Sequence, residues 1–131
     1  MADMQVHVVS ATRELYRGNA TAVFARSTEG EIGILPGHQP VLVALEISSV
    51  RVQEADGAEI TYAVHQGFME YRDERLTVLA DVAERPEEID VQRAQAARDR
   101  ALRHLDDPDY DGNARADLRR AETRLRLAGA V

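Results

Sequence analysis

Between residues 83 and 94, Ala-Glu-Arg-Pro-Glu-Glu-Ile-Asp-Val-Gln-Arg-Ala, the hydrophobic period of this chain changes, and no one kind of regular element spans the change. Upstream, Leu76, Val78 and Ala80 alternate with Thr77 and Asp81, the two-residue repeat of a strand. Downstream, Ala94, Ala97, Ala101 and Leu105 recur at three and four on one helical face, and Leu118, Ala121, Leu125 and Ala128 form a second stripe. The expected fold is therefore α+β in two parts. Residues 1–85 form a flattened β-sandwich or barrel, and residues 86–131 an antiparallel two-helix hairpin.

Strands are expected over 5–10, 14–20, 20–26, 41–45, 47–53, 59–64, 68–71 and 75–82, with a bend at Arg17-Gly18-Asn19 and a break at Gly67. The stretch 27–40 holds Gly30, Gly33, Gly37, Pro36 and Pro40, which do not suit the middle of a regular sheet, so it reads as a shaped surface ribbon. Pro86 ends the sheet region, Asp90 is placed to cap a helix reaching about Leu105, and Asn113 and Gly129 bracket the second helix. The facing residues of the hairpin are mostly alanine, and a buried methyl contributes only about 0.8 kcal/mol. The pair is therefore expected to separate from the sheet at small cost.

Composition removes several classes of function. A net charge of −7 argues against nucleic acid as a partner. Without cysteine there is neither a disulfide nor a thiolate, and without lysine there is no Schiff-base amine and no Walker lysine. The start, Met-Ala-Asp-Met-Gln-Val, lacks the layout of a signal peptide, and no apolar run approaches the roughly 18 residues that cross a bilayer. No serine sits in an elbow or triad context. His7, His38, His65 and His104 are too scattered for a cupin-like metal centre. Asp107, Asp109 and Asp111 before Gly112 imitate the opening of a calcium loop, but its twelfth position is Leu118 and the bidentate glutamate is missing, so no metal site is expected. The last helix carries Arg115, Arg119, Arg120, Arg124 and Arg126 against Asp117 and Glu122. Like charges one turn apart cost a few tenths of a kcal/mol per pair unless an anion intervenes, so an acidic or phosphate-bearing partner is expected there.

Gly30-Glu31-Ile32-Gly33-Ile34-Leu35-Pro36-Gly37-His38, Gly67-Phe68-Met69-Glu70, Leu76-Thr77-Val78-Leu79-Ala80-Asp81 and Ile89-Asp90-Val91-Gln92-Arg93-Ala94 follow in an order that resembles the epsilon subunit of bacterial F-type ATP synthases. The resemblance covers nearly the whole chain. It implies a non-catalytic central-stalk subunit that couples proton flow to ATP synthesis. It also implies a peripheral location on the cytoplasmic face of the bacterial plasma membrane. The sandwich would meet the gamma subunit and the ring of c subunits, with 31–38 as a contact surface. The helices would either fold on the sandwich or extend into the alpha/beta catalytic head, where basic residues meet an acidic segment of beta and restrain ATP hydrolysis.

In some members of that family an Ile/Leu-Asp-x-x-Arg-Ala motif, which 89–94 matches, binds ATP. The resemblance then implies Glu84, Asp90, Arg93, Arg120 and Arg124 as a nucleotide site, with ATP a regulatory ligand and no required cofactor. Read without the resemblance, Ile89 is a staple residue, Asp90 a helix cap and Arg93 a solvated side chain. A stand-alone nucleotide-sensing module is the competing function.

Overall fold

The computed structural model describes residues 3–130; the outer ends of the expected segments, 1 and 131, lie outside them. Seven strands come first: β1 (Met4–Ser10), β2 (Glu14–Ser27), β3 (Gly30–Ile34), β4 (Val41–Leu45), β5 (Ser48–Glu54), β6 (Glu59–Arg72) and β7 (Arg75–Glu84). A 3-10 turn, Pro86–Glu88, leads to α1 (Val91–His104) and α2 (Ala114–Leu127). β1 pairs antiparallel with β2 and parallel with β7, and the path β1-β7-β6-β5-β2 returns to β1. This closure leaves few unpaired strand edges. The alternation read from the sequence sets the inside: Met4, Val6 and Val8 of β1 and Leu76, Val78 and Ala80 of β7 enter one core with Val23, Ile34, Val50, Val52, Tyr62 and Met69.

Two expected breaks are strand interiors. The segments expected at 14–20 and 20–26 are one strand, β2, and its register shifts lie at Leu15 where it pairs with β1 and at Ala20–Ala22 where it pairs with β5, not at the Arg17-Gly18-Asn19 bend. The break expected at Gly67 is a bend within β6, whose first half pairs with β5 and whose second half pairs with β4, while β7 runs beside it from Ala63 across the bend. Gln66 and Gly67 have φ of 65° and 137°. A Cβ on Gly67 would stand 2.1 Å from the Leu79 carbonyl oxygen, so the two backbones touch where a side chain would be. The glycine-rich ribbon also contains a strand, β3, which pairs with β2 through residues 30–34 and so uses its glycines at an edge.

A second irregularity fixes the far end of the sandwich. Asp73 and Glu74 join β6 to β7 with φ of 53° and 61°, a turn of the kind that usually takes Asn-Gly. Each such non-glycine residue costs of order 1 kcal/mol. The Glu74 carboxylate offsets this by accepting from the Tyr71 hydroxyl at 2.6 Å and from the Gly37 amide at 3.1 Å. The 35–38 loop is thereby tied to the β6–β7 turn.

The helices form where the sequence places them. Asp90 accepts from the Arg93 amide at 3.0 Å and Asn113 from the Ala116 amide at 3.0 Å, capping α1 and α2. α1 ends one residue before the expected Leu105, which is partly exposed. Ala94, Ala101, Ala114 and Ala121 are buried, as small facing residues require, but Leu125 is also 1 % exposed, so the hairpin has one large anchor. Even so, the strand core includes no helical side chain. β6 is buried at four successive residues, Tyr62, Ala63, Val64 and His65, because its outer face lies against α2 while its inner face meets the core.

Replacing Gly67 by alanine is expected to destabilise the protein by at least about 3 kcal/mol, from the left-handed backbone and the collision with Leu79 together. A urea midpoint unchanged from that of the parent chain would contradict the contact.

Candidate functional site

Where the hairpin meets the sandwich, one carboxylate is shared by three elements. Ala63 of β6 pairs with Glu84 of β7, which puts His65 and Glu84 diagonally on the same outer face. Nε2 of His65 lies 3.0 Å from Glu84 Oε1, and the same oxygen accepts from Nε of Arg124, on α2, at 2.7 Å. The His65 hydrogen bond is the largest influence holding the Glu84 carboxyl down, to about 2; partial burial opposes it, and the Arg124 hydrogen bond adds to it. His65 is buried and its Nδ1 has no hydrogen-bond partner among the described residues. That arrangement suits the tautomer with the proton on Nε2, since an unpaired acceptor is tolerated better inside a protein than an unpaired donor.

Two more arginines of α2 are also answered within the chain. Arg119 donates to Glu46, in the β4–β5 turn, at 2.7 Å, and Arg120 to Asp117 at 3.2 Å. These three arginines thus have acids of their own, whereas Arg115 has no ion-pair partner within 4.0 Å among the described residues. Glu122 and Arg126 form no ion pair within 4.0 Å among the described residues. On the linker, Arg13 grips Glu88 through both carboxylate oxygens at 2.7 and 2.6 Å, and Arg85 donates to the Leu15 carbonyl at 2.8 Å.

Between α1 and α2 lies a groove of about 190 Å³, lined by Arg100, Arg120 and Arg124 with Tyr110, Asp117 and the two alanines Ala97 and Ala101. It gathers two of the five expected site residues, Arg120 and Arg124, and Glu84 adjoins it through Arg124. Asp90 and Arg93 do not line it: Asp90 is occupied as the cap of α1, and Arg93 is exposed on the first turn. Arg100 is the residue that sequence reasoning missed, although it stands seven positions after Arg93 on the same helical face. Tyr110 closes the end of the groove, its ring stacked on His104 at 4.2 Å and its hydroxyl donating to Asp117 at 3.1 Å, which raises the Tyr110 pKa. In the acidic loop, Asp107 accepts from the Asp109 amide at 2.9 Å, a turn of the backbone. No three histidine or carboxylate side chains converge among the described residues.

Residues 3–86 match the family model described as ATP synthase, Delta/Epsilon chain, beta-sandwich domain. The ATP synthase epsilon chain of Streptomyces coelicolor is 45 % identical over 127 residues, covering 97 % of this chain and 96 % of that one. The chain belongs to the ATP synthase epsilon chain family. Membership extends to the helices: the epsilon chain of Bacillus pumilus is 39 % identical over 131 residues, covering 98 % of this chain and 99 % of that one. The fold is also that of a chain in a cryo-EM structure of Euglena gracilis mitochondrial ATP synthase, with a TM-score of 0.76 at 23 % identity over 99 % of this chain and 79 % of that one. An epsilon chain is a subunit of ATP synthase and not itself catalytic, which decides against a stand-alone sensing module.

The Glu84 carboxyl is lowered in the folded protein, so its contribution to stability is complete above the ordinary carboxyl value of 4.5 and is lost as pH falls toward about 2. Glu84→Gln is expected to cost about 1–2 kcal/mol at pH 6 and to speed amide exchange in α2. That difference from the parent chain should shrink steadily below pH 4.5, and a difference independent of pH would contradict it.

Proposed function

We propose that this epsilon chain is a central-stalk subunit of a proton-translocating ATP synthase on the cytoplasmic face of the bacterial plasma membrane. In this reading the sandwich transmits torque between the gamma subunit and the c ring, and the hairpin restrains ATP hydrolysis when it swings toward the alpha/beta head. The observation that carries the regulatory part is the thinness of the hairpin's attachment. One buried leucine, a buried threonine, Ile89 of the linker, a few alanines and three ion pairs, Arg124–Glu84, Arg119–Glu46 and Arg13–Glu88, hold it to a core built wholly from strands. Arg119 is exposed and Glu46 partly so, and pairs near the surface contribute about 0–1 kcal/mol. A partner offering a better acid for Arg119 or Arg124 can compete on near-equal terms.

The sandwich offers a docking face of its own. Leu42 of β4, Phe68 of β6 and Leu79 of β7 are 64 %, 55 % and 57 % exposed and lie together on the outer surface of neighbouring strands, where Phe68 pairs directly with Leu79. Three large apolar side chains in one patch are unusual on a chain that works alone, and burial against gamma would account for them. Leu42→Asp together with Phe68→Asp is expected to leave the isolated chain folded and to abolish its co-purification with gamma. Retained co-purification would remove the patch from the interface.

ATP is the regulatory ligand we assign to the groove between the helices. Three guanidinium groups converge there, and phosphate oxygens would bind them more strongly than the single Asp117 carboxylate that now serves Arg120. ATP would add contacts between α1 and α2 and favour the folded hairpin. Titration of the whole chain with ATP and Mg²⁺ is expected to raise the melting temperature, with the rise cut at least severalfold in Arg100→Gln and in Arg120→Gln. No change at millimolar nucleotide would dismiss ATP as a ligand and leave the subunit's place in the stalk untouched.

A further inference from the structure

A second groove, sharing no residue with the one between the helices, runs over β1 on the outer face of the sheet. Its volume is about 360 Å³. The strand register sets its walls: Gln5 of β1 lies between Asn19 of β2 and Arg75 of β7, and in the next row His7 lies between Arg17 and Thr77. A cation thus stands on each wall above a polar floor. Arg17 is held in place by Glu14, which accepts from its Nη2 at 2.9 Å and also lies 2.6 Å from Nε2 of His7.

The opposite wall is not neutralised. Arg75 pairs across the β6–β7 hairpin with Arg72, so two guanidinium groups emerge from directly opposed positions, an arrangement that destabilises a hairpin. Neither has an ion-pair partner within 4.0 Å among the described residues. Glu70 and Asp73 share this part of the surface but lie beyond that distance, and the Glu74 carboxylate is turned to Tyr71 and Gly37. On a chain of net charge −7, an uncompensated cation facing a second cation across a groove lined with amide and hydroxyl donors requires an explanation.

We propose that this groove binds a phosphate-type oxyanion, with Arg75 and Arg17 closing on it from opposite walls and Thr77, Gln5 and Asn19 donating hydrogen bonds. Arg75 supplies the uncompensated charge, and an anion beside it would also relieve its repulsion from Arg72. Free phosphate or diphosphate and the phosphate of a lipid headgroup offer the same chemistry. Because the helical groove takes no part, the site is independent of the nucleotide reading.

Two-dimensional amide NMR of the whole chain, titrated with inorganic phosphate and with pyrophosphate at constant ionic strength, tests the site. Saturating shifts are expected at Gly18, Asn19, Arg75 and Thr77. Affinity should fall on the order of tenfold in Arg75→Gln, the loss of one charge-assisted contact, and stay unchanged in Arg100→Gln. Both substitutions replace exposed side chains and leave the core intact. Shifts that do not saturate, that are confined to the groove between the helices, or that persist undiminished in Arg75→Gln would overturn the site. Flotation with phosphatidylglycerol vesicles identifies the source once the anion is seen to saturate. Flotation that depends on Arg75 assigns a headgroup, and none assigns a soluble anion.

Discussion

The contact between Gly67 and the Leu79 carbonyl holds the sandwich together as a closed object. β6 is 14 residues long and serves two neighbours in succession, β5 and then β4, while β7 runs beside it from Ala63 to Arg72. The two neighbours follow one another along the edge of β6 opposite β7, and the strand turns between them. The left-handed backbone at Gln66 and Gly67 turns the strand at the point of transfer, and the absence of a side chain lets β7 follow the turn without losing register. The same turn brings His65 to the outer face beneath α2 and Phe68 to the exposed apolar patch. A single conformational irregularity thus sets where the helices rest and where the sandwich can be gripped.

The hairpin rests on that frame with a different balance of forces. Its two helices bury alanine against alanine, which permits close approach and little hydrophobic gain. Leu125 adds one large side chain, and Glu84 adds a polar joint in which a strand carboxylate answers both a buried histidine and a helix arginine. A joint of this kind gives direction more than strength, because it is satisfied in one orientation only. The hairpin therefore has a defined seat and a modest hold.

Much of this architecture was legible in the chain. The period change near Pro86, the caps Asp90 and Asn113 and the inward row Leu76, Val78 and Ala80 depend on neighbours along the sequence, and local chemistry determined them. Continuity of β2 and β6 was not legible, because a glycine at a break and a glycine at a bend look alike until the partner strand is known. The same limit applied to the site. Arg120 and Arg124 could be singled out as a crowded pair, but the acids that relieve them, Glu84 and Asp117, come partly from another element. Arg100 escaped notice because its importance comes from α2 lying across it. Asp90 could be placed at the helix start, and only the hydrogen bond to Arg93 decided that its carboxylate is occupied there.

Every permanently charged base in the seat of the hairpin is arginine, a consequence of a chain with no lysine. Guanidinium keeps its proton throughout the range in which a living cell works, and it offers no amine for acylation. The joints at Glu46, Glu84 and Glu88 are thus deaf to enzymes that edit lysine and to mild alkalinity. What can loosen them is rivalry, another anion drawing the same arginines away, or acidity strong enough to silence the glutamates themselves.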